Sequence, residues 1–296
     1  MGRNRPAETK DAAGLLQEIA AQLPENGFDD RRRDARLLLA MALGRDDAVL
    51  PHEDVVFTDQ HRETLSDLID RRQHGEPISR MRGWREFYSL NFQINHATLD
   101  PRPDSEVLVE AVIAWLNKTD CPQPHLLDLG TGSGCLLLSS LYHHPGAMGL
   151  GVDIQPDAVA MAEKNASLLG LSERARFKTS AWDDGLLADD GLAGQFDVII
   201  SNPPYIPKAE ILTLMDEVKT HDPMVALDGG EDGFDAWRQL APVLARRLRP
   251  SGAAFVEIGA GQDDDLAVIF GAAGLSLVAK YPDLSGINRC LEFRLT

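Results

Sequence analysis

The stretch Leu126-Leu127-Asp128-Leu129-Gly130-Thr131-Gly132-Ser133-Gly134 decides the fold of this 296-residue chain. A short apolar run ending in glycines reads as a buried strand entering a tight turn. The residues that follow, Ser133 to Tyr142, carry apolar side chains at helical spacing. Strand, glycine turn and helix make the opening unit of an α/β sheet, and glycines there let a ligand approach the backbone where Cβ atoms would collide. The pattern is G-x-G-x-G, not the G-x-G-x-x-G of dinucleotide folds, and it lacks the Lys-Ser/Thr ending of a P-loop. Asp128, two residues before the first glycine, suits a ligand carrying an ammonium group rather than a pyrophosphate.

Outward from this turn, helices alternate with short apolar strands. Asp104 to Leu116 reads as helix, His125 to Leu129 as strand, Met148 to Val152 as strand, and Pro156 to Leu169 as helix stopped by Gly170. Ala175 to Thr179 and Phe196 to Ser201 read as strands, Phe234 to Leu248 as helix, Ala253 to Ile258 as strand and Asp263 to Phe270 as helix. Such alternation predicts a parallel, doubly wound sheet with right-handed crossovers. Leu275 to Tyr281 and Arg289 to Leu295 have no helix between them, which predicts a terminal antiparallel hairpin.

Upstream the period changes. Ala12 to Leu23, Ala35 to Leu43 and Leu65 to Ile69 space their apolar residues as helices do, so the first 82 residues are expected to form a small helical bundle. Asp29 or Asp30 can cap its second helix, Gly44 stands at that helix's end, and Thr58 or Asp59 can start the third. Arg31, Arg32 and Arg33 read first as a solvated helix face and second as a docking site for an acidic partner. Between Arg85 and Ile94 the pattern fits a short hairpin, followed by the stiff Pro101-Arg102-Pro103; residues 83–103 are expected to link the bundle to a second domain over 104–296.

Composition narrows the function. The net charge of −17 argues against nucleic acid as the main contact surface, since displacing counterions from phosphates needs a basic face. Cys121, Cys135 and Cys290 are far apart and lack metal-ligand spacing, so no metal is expected and the three read as small hydrophobes. No apolar run is long enough to cross a membrane, and Met1 to Lys10 has no secretory apolar stretch, so a cytoplasmic enzyme is expected.

The strand after the glycine turn ends at Asp153, nineteen residues beyond Gly134, where a carboxylate can accept both hydroxyls of a ribose. With Asp128 and the glycine turn, this resembles the S-adenosylmethionine site of the seven-stranded methyltransferase class. A second motif, Asn202-Pro203-Pro204-Tyr205, directly follows the strand Phe196 to Ser201, and it is expected to face the glycine turn. Methyl transfer to a planar amide nitrogen is difficult because the lone pair is delocalised into the carbonyl. An enzyme must hold that nitrogen in line with the S–CH₃ bond and accept hydrogen bonds from its N–H groups. Asn202 can offer its side-chain oxygen and Pro203 its carbonyl, two prolines stiffen the loop, and Tyr205 can cover the flat group.

Asn-Pro-Pro-Tyr belongs to methyltransferases acting on adenine N6, guanine N2 or glutamine N5. Glu76-Pro77, Gly83-Trp84-Arg85-Glu86-Phe87, Pro101-Arg102-Pro103-Asp104-Ser105-Glu106 and the stretch Glu217 to Gly233 resemble the release factor glutamine methyltransferase family, also called HemK or PrmC, along essentially the whole chain. The resemblance implies a seven-stranded Rossmann-like sheet with a terminal antiparallel hairpin, preceded by a helical domain that recognises substrate. It implies S-adenosylmethionine as cofactor, held by Gly130, Thr131, Gly132, Ser133, Gly134, Asp153, Trp182 and Asn202, with Asn202, Pro203, Pro204 and Tyr205 for the glutamine. The implied substrate is the Gly-Gly-Gln glutamine of class I peptide chain release factors; from composition and the apolar pattern no direct nucleic-acid or membrane contact is expected, and a monomer is expected.

Related enzymes of ribosomal protein L3 carry Pro-Arg-Ser-Pro where this chain has Pro-Arg-Pro-Asp, and rank second. N-methylation of a base and a non-enzymatic role rank below. Three departures from the family pattern stand out: Ala181 where many relatives have an acid, which moves the expected adenine contact to Asp183 or backbone; Asp100 in place of an apolar residue; and Ile287-Asn288 in the last hairpin. His221, Asp222 and Asp228 read equally as part of a substrate loop or of a charged surface loop.

Overall fold

A computed structural model describes residues 8–24, 31–184, 186 and 195–296. Asp29 and Asp30, expected to cap the second helix, lie outside the described residues. The chain divides into two compact units, Met1–Gly83 and Trp84–Thr296.

The first unit contains β1 (Glu8–Asp11), α1 (Ala12–Gln22), α2 (Arg31–Ala42), β2 (Asp54–Phe57), α3 (Asp59–Gln73) and α4 (Ile78–Arg82). Leu15, Leu16 and Ile19 of α1 close on Leu38 and Leu39 of α2 and on Leu65 and Leu68 of α3. Asp11 caps α1 through its carboxylate, and Thr58 begins α3 with a reciprocal capping box to His61. Gly44 has a φ of 68°, the left-handed end expected of α2. One correction applies to the all-helical expectation: β1 and β2 pair antiparallel, Glu8 opposite Phe57. Four-residue strands are too short for alternation to stand out in a helical context. Within this core Arg72 donates to Asp34 at 2.9 Å, both nearly fully buried.

The second unit opens on a hairpin, β3 (Trp84–Phe87) and β4 (Leu90–Gln93). Its turn holds Tyr88 and Ser89 at φ of 50° and 61°, where Asn-Gly would be easier. Two carboxylates keep it there, Glu106 accepting from the Tyr88 amide and Glu86 from the Ser89 amide. Phe87 and Phe92 are buried in the core of this unit.

Next come α5 (Glu106–Leu116), β5 (His125–Leu129), α6 (Cys135–His143), β6 (Met148–Asp153), α7 (Pro156–Leu168) and β7 (Ala175–Thr179). They are followed by β8 (Phe196–Ser201), α8 (Lys208–Ile211), α9 (Asp216–His221), α10 (Asp235–Arg247), β9 (Leu248–Glu257), α11 (Asp263–Ala272), β10 (Leu275–Pro282) and β11 (Asn288–Leu295). The seven-stranded sheet runs β10-β11-β9-β8-β5-β6-β7, with β11 antiparallel to both neighbours and the strands from β9 to β7 parallel. Helices α5, α6 and α7 bury one face through Leu108, Val112, Leu137 and Ala166, and α10 and α11 bury the other through Trp237, Leu240, Leu244 and Phe270. The chain walks outward from β5 to β7, then returns to pair β8 on the other side of β5. That reversal opens a crevice beyond the carboxyl ends of β5 and β8.

Several boundaries differ from expectation. The helix expected from Asp104 begins instead with a 3₁₀ turn over Pro103–Ser105 and turns α-helical at Glu106. Strand β9 starts at Leu248, through the turn-like Pro250-Ser251-Gly252. A Cβ on Gly252 would stand 2.7 Å from the Asp197 carbonyl, so the strand passes its neighbour there only without a side chain. Among the described residues no helix is long and apolar enough to cross a membrane.

Candidate active site

A cleft of about 340 Å³ opens at the crevice between β5 and β8, within the range of small-molecule sites. Gly130, Thr131, Gly132 and Ser133 line it from the turn after β5, Asp153 from the end of β6, Trp182 from beyond β7, and Asn202, Pro203 and Pro204 from beyond β8. The structure therefore brings together the two motifs, 68 residues apart in sequence.

The turn is stitched to β6, since the amides of Gly130 and Thr131 both donate to the Val152 carbonyl at 2.9 Å. Gly130, Gly132 and Gly134 all have positive φ, but they serve different ends. A Cβ on Gly132 would meet nothing within 4 Å and would project into open space. A Cβ on Gly134 would press Leu138 at 3.0 Å and Ala162 at 3.2 Å. Gly134 lies outside the lining; its part is to start α6 against α7.

Asp128 also stands behind the lining, fully buried. Its Oδ2 accepts from Thr131 Oγ1 at 2.7 Å, while Oδ1 has no hydrogen-bond partner. Burial pushes this carboxyl up to about 7, against the Thr131 bond and with the help of the Asp153 charge. The buried Ser133 hydroxyl is likewise without a partner. Asp153 is raised by burial too, and its two oxygens accept from the amides of Gly132 and Gln155 at 2.9 Å each. A turn with space where Cβ atoms are missing, backed by an unsatisfied buried carboxyl and hydroxyl, fits a ligand that brings its own donors.

Trp182 sits at a φ of 49°, an unusual conformation for an aromatic residue, and its Nε1 donates to Gln239 at 2.9 Å. The neighbouring Asp183 corrects an expectation. It turns away from the cleft and is clamped by Arg246 and by Arg247, the latter at 2.8 Å, so it is not a ligand contact. Burial alone would raise its carboxyl, but the two arginines outweigh burial and hold it below the usual carboxylate range. Asp184 lines the cleft in its place.

The Asn202–Tyr205 loop is braced from several sides. Ser201 Oγ donates to the Leu129 carbonyl at 2.8 Å, tying the end of β8 to that of β5. The Ile206 amide donates to Leu227, and the Gly229 amide to Ile206. A Cβ on Gly229 would fall 2.8 Å from the Tyr205 backbone, and Gln262 donates to the Tyr205 carbonyl at 3.1 Å. Tyr205 does not line the cleft as expected; its hydroxyl donates to the buried Glu257 at 3.3 Å. Asn202 Nδ2 donates to Ser105 at 3.5 Å, so the 3₁₀ turn of the Pro-Arg-Pro-Asp-Ser-Glu segment reaches the same loop.

Arg102, also in the lining, pairs with buried Asp222 at 2.5 Å, and Asp222 accepts from the Asp100 amide. Asp228 caps its own turn through the Gly230 amide. Asp222 and Asp228 are thus tied into the fold, Asp222 through an arginine of the cleft lining, and the unusual Asp100 is buried with Arg85 3.9 Å away. Sequence reading missed Ser105, Glu257 and Gln262. The one available signal was Glu257, an acid inside the apolar run Ala253 to Ile258.

Residues 14–83 match the family model of the PrmC N-terminal domain, and residues 97–221 match that of the methyltransferase small domain. The chain is 45% identical to the release factor glutamine methyltransferase of Rhodospirillum rubrum, covering 99% of this chain and 89% of that protein. It is 42% identical to the protein of the same name from Bradyrhizobium diazoefficiens, over 93% and 92%. Among solved structures, a methyltransferase from Pyrococcus furiosus superposes with a TM-score of 0.50 at 15% identity, over 77% of this chain and 98% of that one, a likeness of fold.

Proposed function

This chain belongs to the release factor glutamine methyltransferase family, and from that premise we infer that it is an S-adenosylmethionine-dependent enzyme that methylates N5 of a release factor glutamine. The glutamine of the Gly-Gly-Gln motif in class I release factors is its target in this reading. The observation that carries the chemistry is Asn202-Pro203-Pro204 lining the same cleft as the glycine turn.

Gly130 to Ser133, Asp153 and Trp182 would hold the cofactor, with Asp128 as the buried carboxyl behind them. When bound, S-adenosylmethionine supplies an electrophilic methyl group on a sulfonium. Asn202 Oδ1 and the Pro203 carbonyl accept the two N–H groups of the substrate amide, which orients its nitrogen and favours lone-pair density there. Both acceptors are neutral, so their contribution is orientation rather than base strength, and the braces on the loop set that orientation before substrate arrives. Tyr205 acts from beneath the loop. We read the enzyme as a cytoplasmic monomer acting on protein rather than nucleic acid; the net charge of −17 supports the last point.

Mass spectrometry of the Gly-Gly-Gln peptide, after incubation of a release factor with enzyme and S-adenosylmethionine, tests this. One methyl is expected on the glutamine. Asn202→Ala is expected to lose about 100-fold in rate, the scale of a misoriented reacting group, while keeping cofactor affinity. An unmodified release factor would overturn the reading.

A further inference from the structure

We propose that Glu257 is a positioning residue for methyl transfer, whose carboxyl fixes the Asn202 side chain with its NH₂ turned inward and its Oδ1 toward the cleft. The proposal rests on the role given above to Asn202.

Glu257 is the last residue of β9, 3% exposed, in a strand otherwise apolar from Ala253 onward. In the parallel pairing of β8 with β9, Ser201 stands opposite Val256, so the next residues along, Asn202 and Glu257, are abreast. Tyr205 donates to Glu257 Oε1, and Ser105 and Asn202 stand near enough to favour the charged carboxylate. None of them closes a hydrogen bond to Oε2, which is left without a partner. A buried carboxylate oxygen in that state costs stability, and packing alone gives no reason to retain it.

The chemistry of the amide supplies a reason. An ionised carboxylate only accepts, and Ser105 Oγ also accepts from Asn202. With Ser105 Oγ accepting from the NH₂ and a carboxylate abreast in the neighbouring strand, that side of Asn202 favours its NH₂, which turns its oxygen toward the substrate. A protonated Glu257 could instead donate to Oδ1, letting the amide turn over and present the wrong group.

The other groups around the carboxyl do not titrate near neutrality. Tyr205, Cys135 on α6 and Cys290 on β11 are all pushed upward by burial and remain neutral. Arg289 on β11 stays charged, paired with Asp283 at 2.9 Å and with Asp104 at 3.0 Å. Glu257 itself is raised to about 7, by burial first and by the Asp104 charge after the opposing hydrogen bonds. Its ionised fraction therefore rises across neutral pH.

The test is kcat for methylation of an intact release factor between pH 6 and 8. Saturating S-adenosylmethionine is used so that titration of Asp128, which acts on cofactor affinity, drops out. Wild-type kcat is expected to rise about tenfold, following ionisation of Glu257. Glu257→Gln, which can donate as the protonated acid does, is expected to stay flat at or below the wild-type value at pH 6, with cofactor Kd by calorimetry unchanged. Ser105→Ala, which removes the second acceptor, is expected to lower kcat as well, and it serves if E257Q fails to fold. An E257Q enzyme with wild-type kcat and profile, or a flat wild-type profile, would overturn the proposal alone. A wild-type enzyme that transfers no methyl at any pH would overturn the functional reading and this proposal together.

Discussion

Gly132 and Gly134 share a left-handed backbone, yet one borders the cleft and the other a helix packing contact. Alanine at either position meets the left-handed penalty of about 1–2 kcal/mol. At Gly132 the new methyl enters open cleft, so G132A is expected to fold, lose only a few degrees in Tm, and bind S-adenosylmethionine at least about tenfold more weakly by calorimetry. At Gly134 the methyl overlaps Leu138 and Ala162, so G134A is expected to lose more stability than G132A. Equal losses of stability with equal affinities would refute this division. The motif made both glycines legible in the sequence but not their different duties, because those depend on α7, which is distant in sequence. The same holds for Glu257: an acid in an apolar run was visible, but its neighbours Asn202, Ser105 and Tyr205 come from other segments.

At the scale of elements, the alternation after Asp104 was legible because each buried strand is a short apolar run between helical periods. The terminal hairpin was legible from a missing helix. The β1–β2 ribbon and the short helices α8 and α9 were not, since segments of four to six residues are held by tertiary contacts rather than by a period of their own. The turn after β7 is another such segment, fixed from outside when Arg246 and Arg247 of α10 grip Asp183. Asp183→Asn leaves two arginines facing a neutral amide. The expected cost is about 2 kcal/mol, below that of a fully buried pair because Arg246 is half exposed. That corresponds to a Tm lower by about 4–8 °C. Because Trp182 precedes the clamp, cofactor affinity should fall with it. Loss of stability with unchanged affinity would show that the turn holds Trp182 without help from α10.

The whole molecule is acidic, at −17, and its carboxyls fall into two groups that respond to pH in opposite directions. Asp183, Asp263 and Asp283 are held low by cationic partners, so their stabilisation is present above about pH 4 and is lost as pH falls through their folded values. Asp128 and Glu257 are raised to about 7, so their contribution is complete below about pH 4 and is lost as pH rises through about 7. Mutual repulsion of the net charge grows in the same upward direction. Tm should therefore peak at about pH 4 to 5, where the first group is nearly complete and the second has barely begun to be lost, and decline by pH 8, whereas catalysis that depends on ionised Glu257 should climb between pH 6 and 8. The two trends meet in one side chain, which makes them separable in one variant. Glu257→Gln removes a charge that the folded chain disfavours, so at pH 8 it should melt above the wild type while turning over more slowly, with the difference in Tm closing towards pH 5. A variant that melts below the wild type at pH 8 would mean that the hydrogen bonds to the carboxylate outweigh its burial. The carboxyl would then serve the fold, and the opposition between stability and activity would be lost.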